Sequence, residues 1–156
     1  MQRNQPKRVL DYATTRNSVI MMFILFLPFN VIHEVGHLIP CYLSGHEGYL
    51  GITLMFGYAV CEGNLNNSLV FRFMGGELAT LVALAPMTVR AIRSKPYLCV
   101  TLVTFALTHL LNAFVETFAN DWYMASMIEP TIVMSTIGFV IFILMLVIFT
   151  RSNSLK

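Results

Sequence analysis

Charged side chains are scarce in this sequence. Of its 156 residues, 12% are Asp, Glu, Lys or Arg, whereas 56% are hydrophobic. Charged residues make up about a quarter of an average soluble domain, which needs them to cover its surface. The scarcity therefore excludes an ordinary soluble globule and favours a protein that lies in a lipid bilayer.

The sequence also has no strong excess of basic charge, no CxxC pair and few histidines. The formal net charge is +2 and is spread along the chain, so no nucleic-acid partner is expected. The three cysteines contain no CxxC pair, and their odd number argues against a disulfide framework; Cys41 is interpreted as a small buried thiol. Four histidines are too few for the di-iron site of a histidine-box enzyme.

Long apolar runs are abundant instead. A helix needs roughly 20 apolar residues to cross a hydrocarbon core about 30 Å thick. Four segments are long enough, at residues 18–43, 69–92, 96–118 and 127–149. The first has no small-residue cleavage site, so it is interpreted as a retained span and not as a signal peptide. The sequence therefore predicts an all-α membrane protein, with residues 1–156 forming one transmembrane domain.

The connection between the first two spans, residues 45–67, is rich in glycine and contains a β-prone piece at 52–56. Its glycines and its length suit a short β-hairpin or a re-entrant element at the membrane edge better than a further span. An irregular loop buried against the helices is the alternative.

Basic residues cluster on one side of the predicted bundle. They precede the first span, separate the second from the third and follow the fourth; the clusters are Arg3, Lys7, Arg8 and Arg16, then Arg90, Arg93 and Lys95, then Arg151 and Lys156. On the opposite side, Arg72 at the start of the second span is the only Lys or Arg. Because cytoplasmic loops carry an excess of Lys and Arg, both termini of this multi-pass protein are predicted to be cytoplasmic.

The first span carries an HExxH pattern, His33-Glu34-Val35-Gly36-His37. Residues four apart share one face of a helix, so both imidazoles can bind one Zn²⁺ ion. Glu34 stands beside them and is predicted to be the general base that takes a proton from the attacking water. Ionisable groups inside a span are costly and usually mark function. The alternative is that these side chains only pair with polar groups on neighbouring helices.

A hydrolytic zinc site needs a third protein ligand and an open position for water. Five candidates are expected on the membrane side of His37: Asp121, Glu116, His109, Glu77 and His46. Asp121 is favoured, because it follows the third span in an irregular segment from which a carboxylate can turn into the bundle. Glu116 is the second choice. His109 is interpreted as a packed polar residue or as a hydrogen-bond partner of a ligand.

Together these residues resemble the site-2 protease family of intramembrane zinc metalloproteases. The resemblance rests on HEVGH inside a span, the Gly-rich connection after it, Gly75-Gly76 in the next span, and an Asn followed by an Asp in and after the third. It covers about residues 30–125. The chain is expected to be a small member of the family, because its length leaves no room for a PDZ-like accessory domain. The resemblance also implies that Asp121 is the third ligand and that Asn112 hydrogen-bonds the substrate or the developing oxyanion.

The predicted function is therefore that of a zinc metalloendopeptidase that hydrolyses a peptide bond of a transmembrane or membrane-proximal substrate. Water would reach the metal through a polar opening, which is expected to be lined by Asn64, Asn66, Asn67 and Asn120. The alternative is a catalytically inactive metal-binding or scaffold subunit of a membrane complex. The intact Glu34 favours the enzyme, because a purely structural site gains nothing from an acid beside its ligands. The sequence does not indicate an oligomeric state.

Overall fold

The computed structural model describes residues 11–53, 57–63, 65, 68–126 and 128–153. In chain order the elements are helix α1 (Tyr12–Leu43), strands β1 (Gly48–Ile52) and β2 (Gly57–Cys61), and helices α2 (Leu69–Leu84), α3 (Arg90–Arg93), α4 (Pro96–Phe118), α5 (Asn120–Ala125) and α6 (Ile128–Asn153). A 3₁₀ turn, Ala85–Thr88, joins α2 to α3.

Four helices are long and apolar enough to cross a membrane, namely α1, α2 with the turn that follows it, α4 and α6. The prediction of an all-α membrane protein with four spans is confirmed. The first helix begins earlier than predicted because Asp11 caps it, accepting a hydrogen bond from the Thr14 amide at 2.9 Å. The second α-helix ends earlier, at Leu84, where the 3₁₀ turn that contains Pro86 begins.

The connection between α1 and α2 forms the predicted β-hairpin. Its strands pair antiparallel, with Gly48 opposite Cys61 and Ile52 opposite Gly57. Of the predicted β-prone piece, residue 52 ends β1, and 54–56 lie outside the described residues.

A disulfide between Cys41 and Cys61 ties β2 to the end of α1, with Cα atoms 5.8 Å apart. The prediction of a free Cys41 thiol and of no disulfide is therefore wrong. The third cysteine, Cys99, is the buried free thiol. An odd count could not reveal the pair, because the two cysteines meet only once the hairpin folds back onto the helix.

Helix α2 packs against both α1 and α4, and glycines make these contacts close. A Cβ atom on Gly36 of α1 would lie 2.5 Å from the Met74 carbonyl oxygen of α2. On the other side of α2, Gly76 lies directly against the backbone of His109 and the side chain of Ala113 in α4. Small residues let transmembrane helices approach one another in this way. Helix α2 thus brings α1 and α4 together.

An apolar cluster lies next to the polar part of the bundle. Its centre is the stacked pair of Phe29 and Phe105, whose ring centroids are 4.6 Å apart. Each phenylalanine precedes a buried histidine by one helical turn, Phe29 preceding His33 and Phe105 preceding His109. This apolar cluster therefore lies one helical turn before His33 on α1 and one turn before His109 on α4.

Candidate metal centre

His33 and His37 project from the same face of α1, as their spacing predicts. Their Nε2 atoms lie 3.2 Å apart, and the residues are only 4% and 7% exposed. Glu34 is buried as well, whereas Val35 is exposed on the outside of the bundle. The polar residues of the HExxH pattern therefore face the interior of the protein.

Glu116 of α4 meets the two histidines. Its Oε1 atom lies 3.1 Å from His33 Nε2, and its Oε2 atom lies 3.3 Å from His37 Nε2. One ligand atom from each of the three residues falls within 4.8 Å of the others. Across the part of the chain that the structure describes, this is the group that could hold a metal ion.

The chemistry of this group fits a metal ion. The Glu116 Oε2 atom is buried and makes no hydrogen bond, and the His37 Nε2 atom lies 3.3 Å from it. A buried carboxylate oxygen without a bonded donor or a cation is costly. Two imidazole nitrogens that face each other also need a proton or a cation between them. Two histidines and one carboxylate are a ligand set found in hydrolytic zinc sites, which keep a fourth position open.

Asp121, the predicted third ligand, lies elsewhere. Its side chain is exposed in the first turn of α5, outside the group formed by His33, His37 and Glu116. The segment expected to be irregular is helical, so the Asp121 carboxylate is not turned into the bundle. Glu116, the second candidate from the sequence, lies opposite the histidines, so the structure favours Glu116 over Asp121 as the third ligand.

Two further α4 side chains contact these residues. His109 is buried, and its Nδ1 atom lies 3.2 Å from His33 Nδ1. Asn112 donates a hydrogen bond from Nδ2 to Glu116 Oε1 at 2.6 Å, and the same nitrogen lies 3.4 Å from His33 Nε2. His109 therefore sits where a hydrogen-bond partner of a ligand would sit. Asn112 contacts the candidate ligands themselves.

Helix α2 orients the second histidine of the pattern. The Nδ1 atom of His37 lies 2.6 Å from the Phe71 carbonyl oxygen, which can accept a hydrogen bond from Nδ1–H. An imidazole that donates Nδ1–H in this way presents the lone pair of Nε2 to a metal. Gly75 leaves room for this ring, since a Cβ atom there would run into the His37 imidazole. The Gly-Gly pair was visible in the sequence, but the Phe71 carbonyl has no signal there.

A cavity of about 320 Å³ adjoins the group. Its walls come from α1, β2, the start of α2, the end of α4, α5 and the start of α6, and they include Glu34, His37, Glu116, Asn120 and Tyr123. Of the asparagines expected at a polar opening, Asn120 lines this cavity, and positions 64, 66 and 67 lie outside the described residues. Sequence reasoning missed Tyr123, because a lone aromatic residue after a span carries no distinctive pattern.

No protein-family model, no curated protein and no solved structure matches this chain. The functional interpretation therefore rests on the residues and the geometry of the site itself.

Proposed function

We propose that this protein is an intramembrane zinc metalloendopeptidase. The observation that carries the proposal is the convergence of His33, His37 and Glu116 within 4.8 Å, next to a cavity that the Glu34 side chain lines. A metal site that only holds the fold together has no need for a further carboxylate facing an open cavity. The resemblance of the HEVGH span to site-2 proteases supports the same activity.

The chain's own residues would hold the zinc ion and shape its surroundings. His33 and His37 would bind it through Nε2, and Glu116 through its carboxylate. When bound, zinc acts as a Lewis acid that activates water and polarises the peptide carbonyl. His109, Asn112 and the Phe71 carbonyl hold the three ligands in place.

Glu34 is placed to move protons. It lines the cavity without belonging to the ligand group, and its side chain packs against Gly57 of β2, where a Cβ atom would lie 2.6 Å from Glu34 Cγ. In the proposed reaction Glu34 accepts a proton from the water that attacks the peptide carbon. It then delivers this proton to the amide nitrogen as the C–N bond breaks.

Strand β2 would hold the substrate in an extended form. Within the described residues the sheet has two strands, and residues Gly57, Tyr58, Ala59 and Val60 of β2 line the cavity. An extended peptide can add to such an edge through main-chain hydrogen bonds. A transmembrane substrate would unwind locally here, at a cavity where its freed backbone groups find partners.

The site would open on the extracytoplasmic side of the membrane. His33, His37 and Glu116 lie in the C-terminal halves of α1 and α4, whereas Arg16 and the basic residues around α3 lie at the opposite ends. The positive-inside rule assigns those basic ends to the cytoplasm. The Cys41–Cys61 disulfide lies on the side of the site, and disulfides persist in oxidising compartments outside the cytoplasm. Charge and disulfide thus support the same orientation, with both termini cytoplasmic.

The proposal is tested on the full chain purified in detergent. Zinc content is measured by mass spectrometry, and cleavage is measured on a panel of fluorogenic peptides with apolar transmembrane sequences. Wild type should bind about one zinc ion per chain and cleave peptides within the panel. Glu34→Gln should keep the bound zinc, and its cleavage rate should fall by about 10²- to 10⁴-fold.

Glu62→Gln is the matched control, because Glu62 is an exposed acid just beyond β2. This variant should keep both zinc and cleavage. A wild-type protein without zinc, or undiminished cleavage by Glu34→Gln, would overturn the proposal. Zinc binding without cleavage of any peptide would favour the alternative, an inactive metal-binding subunit.

A further inference from the structure

Tyr123 brings a phenolic hydroxyl group to the cavity beside the candidate metal centre. The residue belongs to the short helix α5, outside the four spans, and it lines the cavity together with Glu34 and Glu116. Its oxygen atom lies 3.5 Å from Asn112 Nδ2. A hydroxyl group that can donate a hydrogen bond therefore lies at the wall of this cavity.

Asn112, for which the family resemblance implied contact with the substrate, is engaged elsewhere. Its Nδ2 atom donates to Glu116 Oε1 at 2.6 Å, a short hydrogen bond to a carboxylate. The cavity lining includes Tyr123 but not Asn112. To reach a substrate, the Asn112 amide would have to release Glu116.

We propose that Tyr123 is a catalytic residue whose hydroxyl group donates a hydrogen bond to the carbonyl oxygen of the scissile peptide bond, and that Asn112 positions Glu116. This proposal rests on the proposed peptidase function and assigns the contact with the oxyanion to a different residue. As the water oxygen bonds to the carbonyl carbon, the electron pair of the C=O bond moves onto the carbonyl oxygen. Tyr123 stabilises that charge and keeps its proton, whereas Glu34 carries the proton from water to the leaving nitrogen.

A tyrosine hydroxyl ordinarily has a pKa of about 10, so it is protonated at neutral pH. A phenol that stays neutral remains a hydrogen-bond donor under ordinary conditions. Donors aimed at a developing oxyanion are a large source of rate enhancement, and removing one typically lowers kcat by about 10²- to 10³-fold.

The test compares Tyr123→Phe, Asn112→Leu and the control Tyr49→Phe in the full-length protein in detergent. Tyr49 is a suitable control because it is 55% exposed on β1 and is not among the residues that line the cavity. Three quantities are measured: the Kd for zinc, the Kd for acetohydroxamate on zinc-loaded protein by calorimetry, and kcat on the peptide that wild type cleaves fastest. Acetohydroxamate is used because it binds zinc through two oxygens, one of which replaces the substrate carbonyl oxygen.

We expect Tyr123→Phe to keep the wild-type zinc affinity, to bind acetohydroxamate about 10- to 100-fold more weakly and to lose about 10²- to 10³-fold in kcat. Asn112→Leu should instead weaken zinc binding by about 10- to 100-fold, as a partner that orients a ligand does. Tyr49→Phe should match wild type in all three quantities.

Two results would overturn the inference. Wild-type acetohydroxamate affinity and kcat in Tyr123→Phe would remove the hydroxyl from the reaction. A loss of zinc by Tyr123→Phe equal to that of Asn112→Leu would show that Tyr123 supports the ligands and does not contact the substrate. Both results are distinct from failure of the peptidase proposal, in which wild type itself would bind no zinc or cleave no peptide.

Discussion

His33 of α1 and Glu116 of α4 meet with Nε2 and Oε1 3.1 Å apart, although 83 positions separate them in the sequence. This contact predicts that Glu116→Gln weakens zinc binding by more than about 100-fold, beyond the 10- to 100-fold effect of a residue that only supports a ligand. Asp121→Asn should leave the zinc Kd unchanged, because Asp121 is exposed outside the group. Competition with a chromophoric chelator measures both constants. A larger loss in Asp121→Asn than in Glu116→Gln would restore Asp121 as the third ligand.

His109 should control the tautomer of His33. If His33 binds zinc through Nε2, its proton is on Nδ1, and the His109 Nδ1 atom 3.2 Å away accepts a hydrogen bond from it. His109→Phe keeps an aromatic ring next to Phe29 and Phe105 but removes the acceptor. We expect zinc affinity to fall by about 10- to 100-fold, measured by the same competition. His46→Phe is the control, because His46 is exposed; equal affinities in the two variants would contradict this role.

Gly75→Ala should displace His37. A Cβ atom at Gly75 would occupy the space of the imidazole, although alanine is the better helix former by about 1 kcal/mol. Zinc affinity should therefore fall by at least about tenfold, even though helix propensity favours the variant. Gly138→Ala is the matched control, since its Cβ would lie 3.3 Å from the movable Thr108 side chain. Wild-type zinc affinity in Gly75→Ala would show that the His37 position seen here is not needed for binding.

Zinc should stabilise the folded chain. A ligand that binds only the native state adds about 2.7 kcal/mol at a concentration of 100 times its Kd. Thermal unfolding in detergent should therefore show a lower Tm after chelation, restored by adding zinc. Glu34→Gln should respond as wild type does, because Glu34 lies outside the ligand group, whereas Glu116→Gln should show little shift. An equal shift in Glu116→Gln would place the stabilising zinc at another site.

The Cys41–Cys61 pair should resist thiol reagents in protein isolated from cells. In a Cys99→Ser background these are the remaining cysteines, and the structure joins them. Denatured protein should bind no maleimide-polyethylene glycol before reduction and two molecules per chain after it. Double labelling without reductant would show two free thiols and would remove the disulfide as support for an extracytoplasmic site.

The spans, the hairpin and the histidine pair could be predicted because each depends on residues close together in the chain. An apolar run long enough for a membrane, a glycine-rich connection and two imidazoles one turn apart are all local patterns. The third candidate ligand was harder to predict than the two histidines. Glu116 and Asp121 are five positions apart, and the choice between them depends on where α4 ends and which way its last turn faces. Tyr123 and the disulfide likewise depend on tertiary contacts that no spacing reveals.

Helix α2, wedged by its glycines between α1 and α4, has a consequence for biogenesis. A nascent chain that has emerged only as far as the hairpin carries both histidines but no Glu116 opposite them. Its metal-binding group becomes complete only when the third span has been inserted and has docked against the other two. During translation the chain therefore carries the HExxH motif before the group that could bind a metal ion is complete.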